Sequence, residues 1–251
     1  MIATNARMSE CFFVVFVPIK STGKFKYNHH MKKYAVLVAG GIGSRMNSDI
    51  PKQFLLLKGK PVLYYTVITF LKAFNDIEII LVLPQEHLEA GKEIISTYFS
   101  EKNITVTTGG NTRFHSVKNG LQFVTEDSIV FVHDAVRCLL TEALIHRCYE
   151  AAIEKGAVIP VVDVKDSIRV VDADNNKAVD RNTIKLVQTP QVFLSEIILT
   201  SYDVAYSDSF TDDATVVEAS GHKIHLIEGE NNNLKITLPI DILIAEKIME
   251  G

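Results

Sequence analysis

The sequence predicts an α/β protein: an open, mostly parallel sheet with helices on both faces. Three observations carry this. Short runs rich in Val and Ile recur, each ending in a glycine pair or a turn, as strands buried on both faces do. Longer stretches with helix-like apolar spacing separate them. The alternation is regular from Tyr34 onward, which argues for stacked β-α units and hence a Rossmann-like sheet.

Residues 34–39 (YAVLVA) read as the first strand and stop at Gly40-Gly41. Residues 61–73 read as a helix, with Pro61 suited to its first turn. Residues 78–83 and 87–99 form the next strand and helix. A third strand at 104–108 runs into Gly109-Gly110 and a helix over about 114–124. SIVFVH at 128–133 is the fourth strand, 142–155 a long helix, and 157–162 a returning strand. The rhythm breaks at 164–187, where strand-like runs flank the turn-forming residues 172–176. This reads as a protruding β-hairpin arm. An isolated two-stranded ribbon is marginal in water, so the arm is expected to pack on a second copy of the chain, giving a homodimer. Helices near 194–206 and 212–219, a strand at 223–228 and a closing helix from about Pro239 complete residues 31–251 as one domain.

Composition narrows the class. Of 251 residues, 47% are hydrophobic and 22% charged, with 13 Gly and 7 Pro, which excludes wholesale disorder and collagen-like repeats. No run of about 18 apolar residues occurs, so a membrane-spanning helix is not expected. Lys and Arg number 26 against 30 acidic residues, a net charge of −4, which argues against a general nucleic-acid binder but leaves anionic small molecules open. Cys11, Cys138 and Cys148 show no CxxC spacing and are odd in number; reduced thiols in the cytoplasm are expected. Residues 1–30 carry a short apolar stretch interrupted by Pro18, without a convincing cleavage site. They are expected to be a disordered extension, or one that a natural start at Met31 would omit.

In such a sheet, ligands collect at the carboxyl ends of the strands, and three clusters fall there. The first is Ala39-Gly40-Gly41-Ile42-Gly43-Ser44-Arg45, followed by Pro51-Lys52-Gln53. Glycines let backbone N–H groups approach phosphate oxygens. The spacing lacks the Gly-Lys-Ser/Thr of ATPase loops, and Met46 stands where a dinucleotide fingerprint needs its third glycine. Arg45 and Lys52 add two cations, against the bland reading of a tight turn with surface charge. The second cluster is His133-Asp134-Ala135-Val136-Arg137. Asp134 is placed to hold Mg²⁺ beside a phosphate loop, or else to N-cap a following helix; His133 has no assigned role. The third is Asn233-Leu234-Lys235-Ile236-Thr237, where Lys235 and Thr237 on one strand would share a face and grip a phosphate monoester.

The segments VLVAGGIGSRMNSDIPKQFLLLKGKPVLYYT, HDAVR, VDRNTIKLVQTPQVF, TDDATVVE and NLKIT, in this order and spacing, resemble the 2-C-methyl-D-erythritol 4-phosphate cytidylyltransferase family of the non-mevalonate isoprenoid pathway. The likeness runs from about Lys33 to Glu250. Ribitol-5-phosphate cytidylyltransferases are the alternative, disfavoured by Asp134-Ala135 and Asp180-Arg181. The resemblance implies CTP and methylerythritol phosphate as substrates and a divalent cation, Mg²⁺, as cofactor. It assigns Arg45 and Lys52 to the transition state, and Gly40, Gly41 and Gly43 to the CTP phosphates. Gly109 and Ser116 fall in the segment that recognises cytosine, Asp134 matches the Mg²⁺ ligand, and Ala135 and Arg137 belong to the same element. Arg181 and Lys235 match the residues that position the substrate phosphate, Arg181 reaching into a neighbouring subunit. Val136 and Cys138 replace the Ala and Pro commoner in HDAARP, and Ser167 replaces Thr; no charged group is lost. A phosphate monoester is already an anionic nucleophile, so this chemistry needs aimed cations rather than a general base. A nicotinamide-dependent oxidoreductase and a non-catalytic nucleotide-binding module fit the same glycines less well, because neither explains Lys52, Asp134, Arg181 and Lys235 together.

Overall fold

The computed structural model describes residues 31–40, 50–99 and 103–251. The extension 1–30 and the loop carrying Gly41, Gly43 and Arg45 lie outside the described residues. Among those described, eight strands form one sheet. Its centre is β1 (Lys32–Val38), flanked by β4 (Glu78–Leu83) and β6 (Ser128–Asp134), with β5 (Ile104–Thr108) beyond β4; all four run parallel. Side chains on β1 alternate between two cores. Ala35, Leu37 and Ala39 enter one, with α1 (Val62–Ala73) and α4 (Glu142–Lys155); Tyr34, Val36 and Val38 enter the other, with α3 (Arg113–Leu121) and α6 (Asp213–Ala219). Burial on both faces is what made these strands read as continuous apolar runs. Between β1 and α1 a small ladder pairs β2 (Leu56–Leu57) with β3 (Lys60–Pro61), and α2 (Leu88–Tyr98) follows β4.

Beyond β6 the sheet departs from the expected alternation. β11 (Gln191–Leu194) inserts antiparallel between β6 and β7 (Ala157–Asp163), so Leu194, expected to open a helix, ends a strand; α5 spans only Ser195–Ser201. β10 (Lys185–Val187) also pairs antiparallel with β7. Because β12 (His225–Glu228) pairs with β7 at Val158 and Val161 as well, it must take the opposite edge. β10 and β11 therefore lie in line on the same side of β7, interrupted at Gln188–Pro190 where Pro190 offers no N–H. The hairpin proper is β8 (Ile168–Asp172) with β9 (Asn175–Val179); residues 185–187, expected in the arm, belong to the main sheet. Val171 on β8 is 70% exposed. The chain closes with α7 (Pro239–Glu250).

Helix starts follow the local chemistry. Thr112 caps α3 through its side-chain oxygen, Thr141 caps α4, and Asp212 forms a capping box with Thr215 at α6. Gly120 lets α3 lie close on the sheet: a Cβ there would come within 2.6 Å of Val36 and 2.9 Å of Val82.

Candidate active site

The parallel register brings the strand ends level, Val38 opposite both Val82 and Asp134. The segments leaving those ends enclose a cavity of about 250 Å³. Ala39 and Gly40 form one wall, Gly110 to Arg113 with Ser116 another, and Asp134 the floor; Lys52, Gln53 and Lys235 close it. Residues from distant parts of the chain thus share one small space, Ala39, Gly40, Lys52, Ser116, Asp134 and Lys235 among them.

Asp134 is the electrostatic centre. Its Oδ2 receives Lys235 Nζ at 2.8 Å and lies 3.7 Å from Arg137 Nε, while Oδ1 receives Arg113 Nε at 3.4 Å. Burial alone would raise its pKa, but the positive charge of Arg113, Lys235 and Arg137 wins, and the carboxyl is held well below the usual range. The helix-cap reading is corrected here: Asp134 ends a strand and its carbonyl accepts Arg137 N–H in a turn, with no helix following directly.

Lys52 sits in a single helical turn, Lys52–Phe54, and its Nζ donates to Ile236 O at 3.1 Å. This contact, spanning 184 positions of sequence, places it next to the segment that carries Lys235. Gln53 is buried, and its carboxamide has no hydrogen-bond partner among the described residues. Residues 233–237 are coil rather than the expected strand. They are pinned by Ile236 N–H to Val136 O, Arg137 Nη1 to Asn233 O and Asn233 Nδ2 to Thr189 O. Thr237 consequently does not share a face with Lys235: its hydroxyl turns back on Lys235 O, and its N–H meets Asp241.

Other expected residues stand just behind the cavity. Ala135 is fully buried, its N–H on Val38 O and its carbonyl accepting from Thr66. A Cβ on Gly109 would approach Ser116 Oγ to 2.7 Å, so glycine is what allows the end of β5 to meet α3. The Ser116 hydroxyl is committed to Thr112 O and the Gly110 N–H. Arg137 opens on a neighbouring groove, and Arg181 lies outside the cavity lining of its own chain, its Nη1 on Lys165 O at 2.6 Å.

His133 has a structural place. Thr189 Oγ1 accepts the Asp134 N–H and donates to His133 Nδ1, which leaves Nε2–H for Arg137 O. Burial pushes the imidazole down to about 3; Asp134 opposes this, while Arg137 and Arg113 reinforce it. The folded protein keeps the ring neutral, whereas the unfolded chain takes up a proton below about pH 6.5. Stability is therefore full above that pH and falls as pH drops toward the folded value, by up to about 1.4 kcal/mol per pH unit. A melting series on His133→Gln is expected to show a shallower decline between about pH 6.5 and 4; an unchanged slope would contradict this account.

Sequence reasoning passed over Arg113 and Asp213. The Arg113 guanidinium grips the fully buried Asp213 with both Nη atoms, at 2.9 and 2.7 Å, and Tyr202 donates its hydroxyl to the same carboxylate at 2.7 Å. Their only sequence signal is an Arg at the first helical position after GGNT and a second Asp after a helix cap.

Positive charge gathered on a carboxylate at the carboxyl ends of the strands is the equipment of an enzyme that moves phosphoryl or nucleotidyl groups, where binding and charge neutralisation do most of the work. Comparison with known proteins narrows that class. Residues 34–251 match the family model for IspD, 2-C-methyl-D-erythritol 4-phosphate cytidylyltransferase, and the chain belongs to this family. The enzyme of that name from Phocaeicola vulgatus is 46% identical over 219 residues, 87% of this chain and 100% of that one. Its counterpart from Bacteroides thetaiotaomicron is 47% identical with the same coverage. Among solved structures, 4-diphosphocytidyl-2C-methyl-D-erythritol synthase from Anaerococcus prevotii superposes with a TM-score of 0.77 at 29% identity, covering 88% of this chain and 97% of its own. The Francisella tularensis cytidylyltransferase gives 0.71 at 30% identity, covering 86% and 99%.

Proposed function

We propose that this chain transfers CMP from CTP to 2-C-methyl-D-erythritol 4-phosphate, forming 4-diphosphocytidyl-2-C-methyl-D-erythritol and pyrophosphate, a step of isoprenoid precursor synthesis. The observation that carries the reading is the meeting of Lys52, Asp134 and Lys235 in one cavity of a chain from this family. A phosphate oxygen of the alcohol attacks the α-phosphorus of CTP, and the bond to the bridging oxygen of the departing pyrophosphate breaks. Lys52 and Arg45 stabilise the charge on the five-coordinate phosphorus and the leaving group. Gly40, Gly41 and Gly43 offer backbone to the triphosphate, while Ala39, Gly109, Ser116, Ala135 and Thr237 shape the nucleotide's surroundings. Arg137 supports Asp134, and Lys235 with Arg181 orients the alcohol phosphate.

Among the described residues no group of three or more His, Cys, Asp or Glu gathers into a metal cage. One carboxylate facing a phosphate cavity instead suits Mg²⁺ that shares its ligands with substrate phosphates, and Asp134 would hold it. When bound, the ion supplies neutralisation of phosphate charge. Arg181 is read as acting on a second subunit in a homodimer, because its own cavity is lined without it and Val170 and Val171 on its arm are exposed. We read residues 31–251 as one catalytic domain in the cytoplasm, where the free thiols of Cys138 and Cys148 would persist. The test is incubation with CTP, Mg²⁺ and either methylerythritol phosphate or ribitol phosphate. A CDP-alcohol and pyrophosphate are expected from the first; turnover confined to ribitol phosphate would overturn the substrate assignment.

A further inference from the structure

Among the described residues three cations surround Asp134, and they are held very differently. Lys235 lies on a coil with its side chain 43% exposed, so its ammonium can leave the carboxylate at little cost when a phosphate arrives. Arg137 is tied to Asn233 O and stands at 3.7 Å. Arg113 is the fixed one. Both of its Nη atoms are committed to Asp213, whose side chain is wholly buried and also held by Tyr202, and this fork leaves Nε directed at Asp134 Oδ1. A guanidinium so committed is poorly placed to grip a phosphate. It can instead set the angle of its neighbour's carboxylate, because a bidentate pair fixes the plane of both partners.

We infer that Arg113, anchored by Asp213, is a positioning residue: it holds Asp134 Oδ1 so that Oδ2, once Lys235 withdraws, faces the cavity as the donor to a divalent cation. The inference rests on the reading of Asp134 as the cation's protein ligand. The connection joins three elements, the start of α3, the end of β6 and the start of α6, so the TDDA segment acts on the site through Arg113 rather than by touching substrate. Charge and orientation can be separated experimentally. Arg113→Lys keeps the positive charge but has no planar fork. Asp213→Asn keeps the shape and an acceptor for Tyr202, but releases Arg113 to pair more fully with Asp134, in competition with the metal. Both substitutions therefore act in the same direction on metal binding, by different routes.

The experiment measures Mn²⁺ binding to the full-length protein with CTP and with inorganic phosphate, which draws Lys235 off Asp134, but without the alcohol phosphate, from the free-ion electron paramagnetic resonance signal, so that no turnover is involved. Arg113→Lys and Asp213→Asn are each expected to raise the half-saturating Mn²⁺ concentration about tenfold or more, on the scale of losing one aimed, charge-assisted contact. Thermal midpoints of the variants identify those that fold, and the apparent KM for the alcohol phosphate is expected to stay within about twofold in them, since Lys235 is untouched. Tyr202→Phe removes one hydrogen bond from Asp213 without breaking the fork, and should bind Mn²⁺ as the parent does. Parent-like Mn²⁺ binding in either folded variant would overturn the inference, as would an equal loss in Tyr202→Phe, which would assign the effect to packing. If the parent binds Mn²⁺ and CTP but makes no CDP-alcohol, the proposed reaction fails and this inference stands or falls separately on the variants.

Discussion

Lys52→Ala is expected to lower turnover by about 10²–10³-fold, equivalent to about 2.7–4 kcal/mol of barrier, the usual cost of removing one group aimed at developing charge. The size follows from the setting. The Lys52 ammonium meets Ile236 O in a cavity that Arg113 and the Asp134–Lys235 pair also line. Charge appearing on phosphorus there is poorly screened by water, so a fixed cation is worth more than on an open surface. The fold should survive, because the neighbouring contacts are made by Phe54, packed on the main core, and by the turn N–H from Phe54 to Pro51 O. Steady-state turnover at saturating substrates checks this. Near-normal kcat in folded Lys52→Ala would remove Lys52 from the transition state.

The second large effect separates the two substrates. In Lys235→Ala and in Arg181→Ala the apparent KM for the alcohol phosphate is expected to rise about 30-fold or more, matching the 2–5 kcal/mol typical of truncating one member of a desolvated charge pair. The apparent KM for CTP should move only a few-fold. Lys235 can be lost without stranding Asp134, since Arg113 and Arg137 remain beside it. Arg181 is exposed and leans on a backbone carbonyl, so its loss should cost little stability. Kinetics with each substrate varied in turn decide the matter: equal penalties for CTP and the alcohol phosphate would contradict the division of labour.

Much of this arrangement was legible in the chain. β1, β4 and β6 announce themselves because burial on both faces leaves little room for polar residues, and Gly109 marks a strand end where backbone must come close. What stayed hidden depends on long-range pairing. QVFL at 191–194 joins α5 without a break in apolar pattern, and only its partners on β6 and β7 make it a strand. The alternation around Lys235 and Thr237 imitates a strand, yet the Val136 carbonyl and the Asp241 carboxylate take the backbone N–H groups a ladder would need. Arg113 and Asp213 are 100 positions apart, and nothing local in either segment betrays a buried fork. His133 sits one residue from the centre of the site and proves to be a neutral support for Asp134 and Arg137.

In the proposed site, Lys52 and Lys235 of one chain act together with Arg181 of a second. Mixing folded Lys52→Ala and Arg181→Ala subunits under conditions that let them exchange tests this most directly. Each mixed dimer then carries one intact site and one doubly defective site, so cytidylyl transfer from CTP to methylerythritol phosphate should recover to roughly a quarter of the parental rate. A mixture no more active than the two variants measured apart, with exchange verified by mass, would contradict the account.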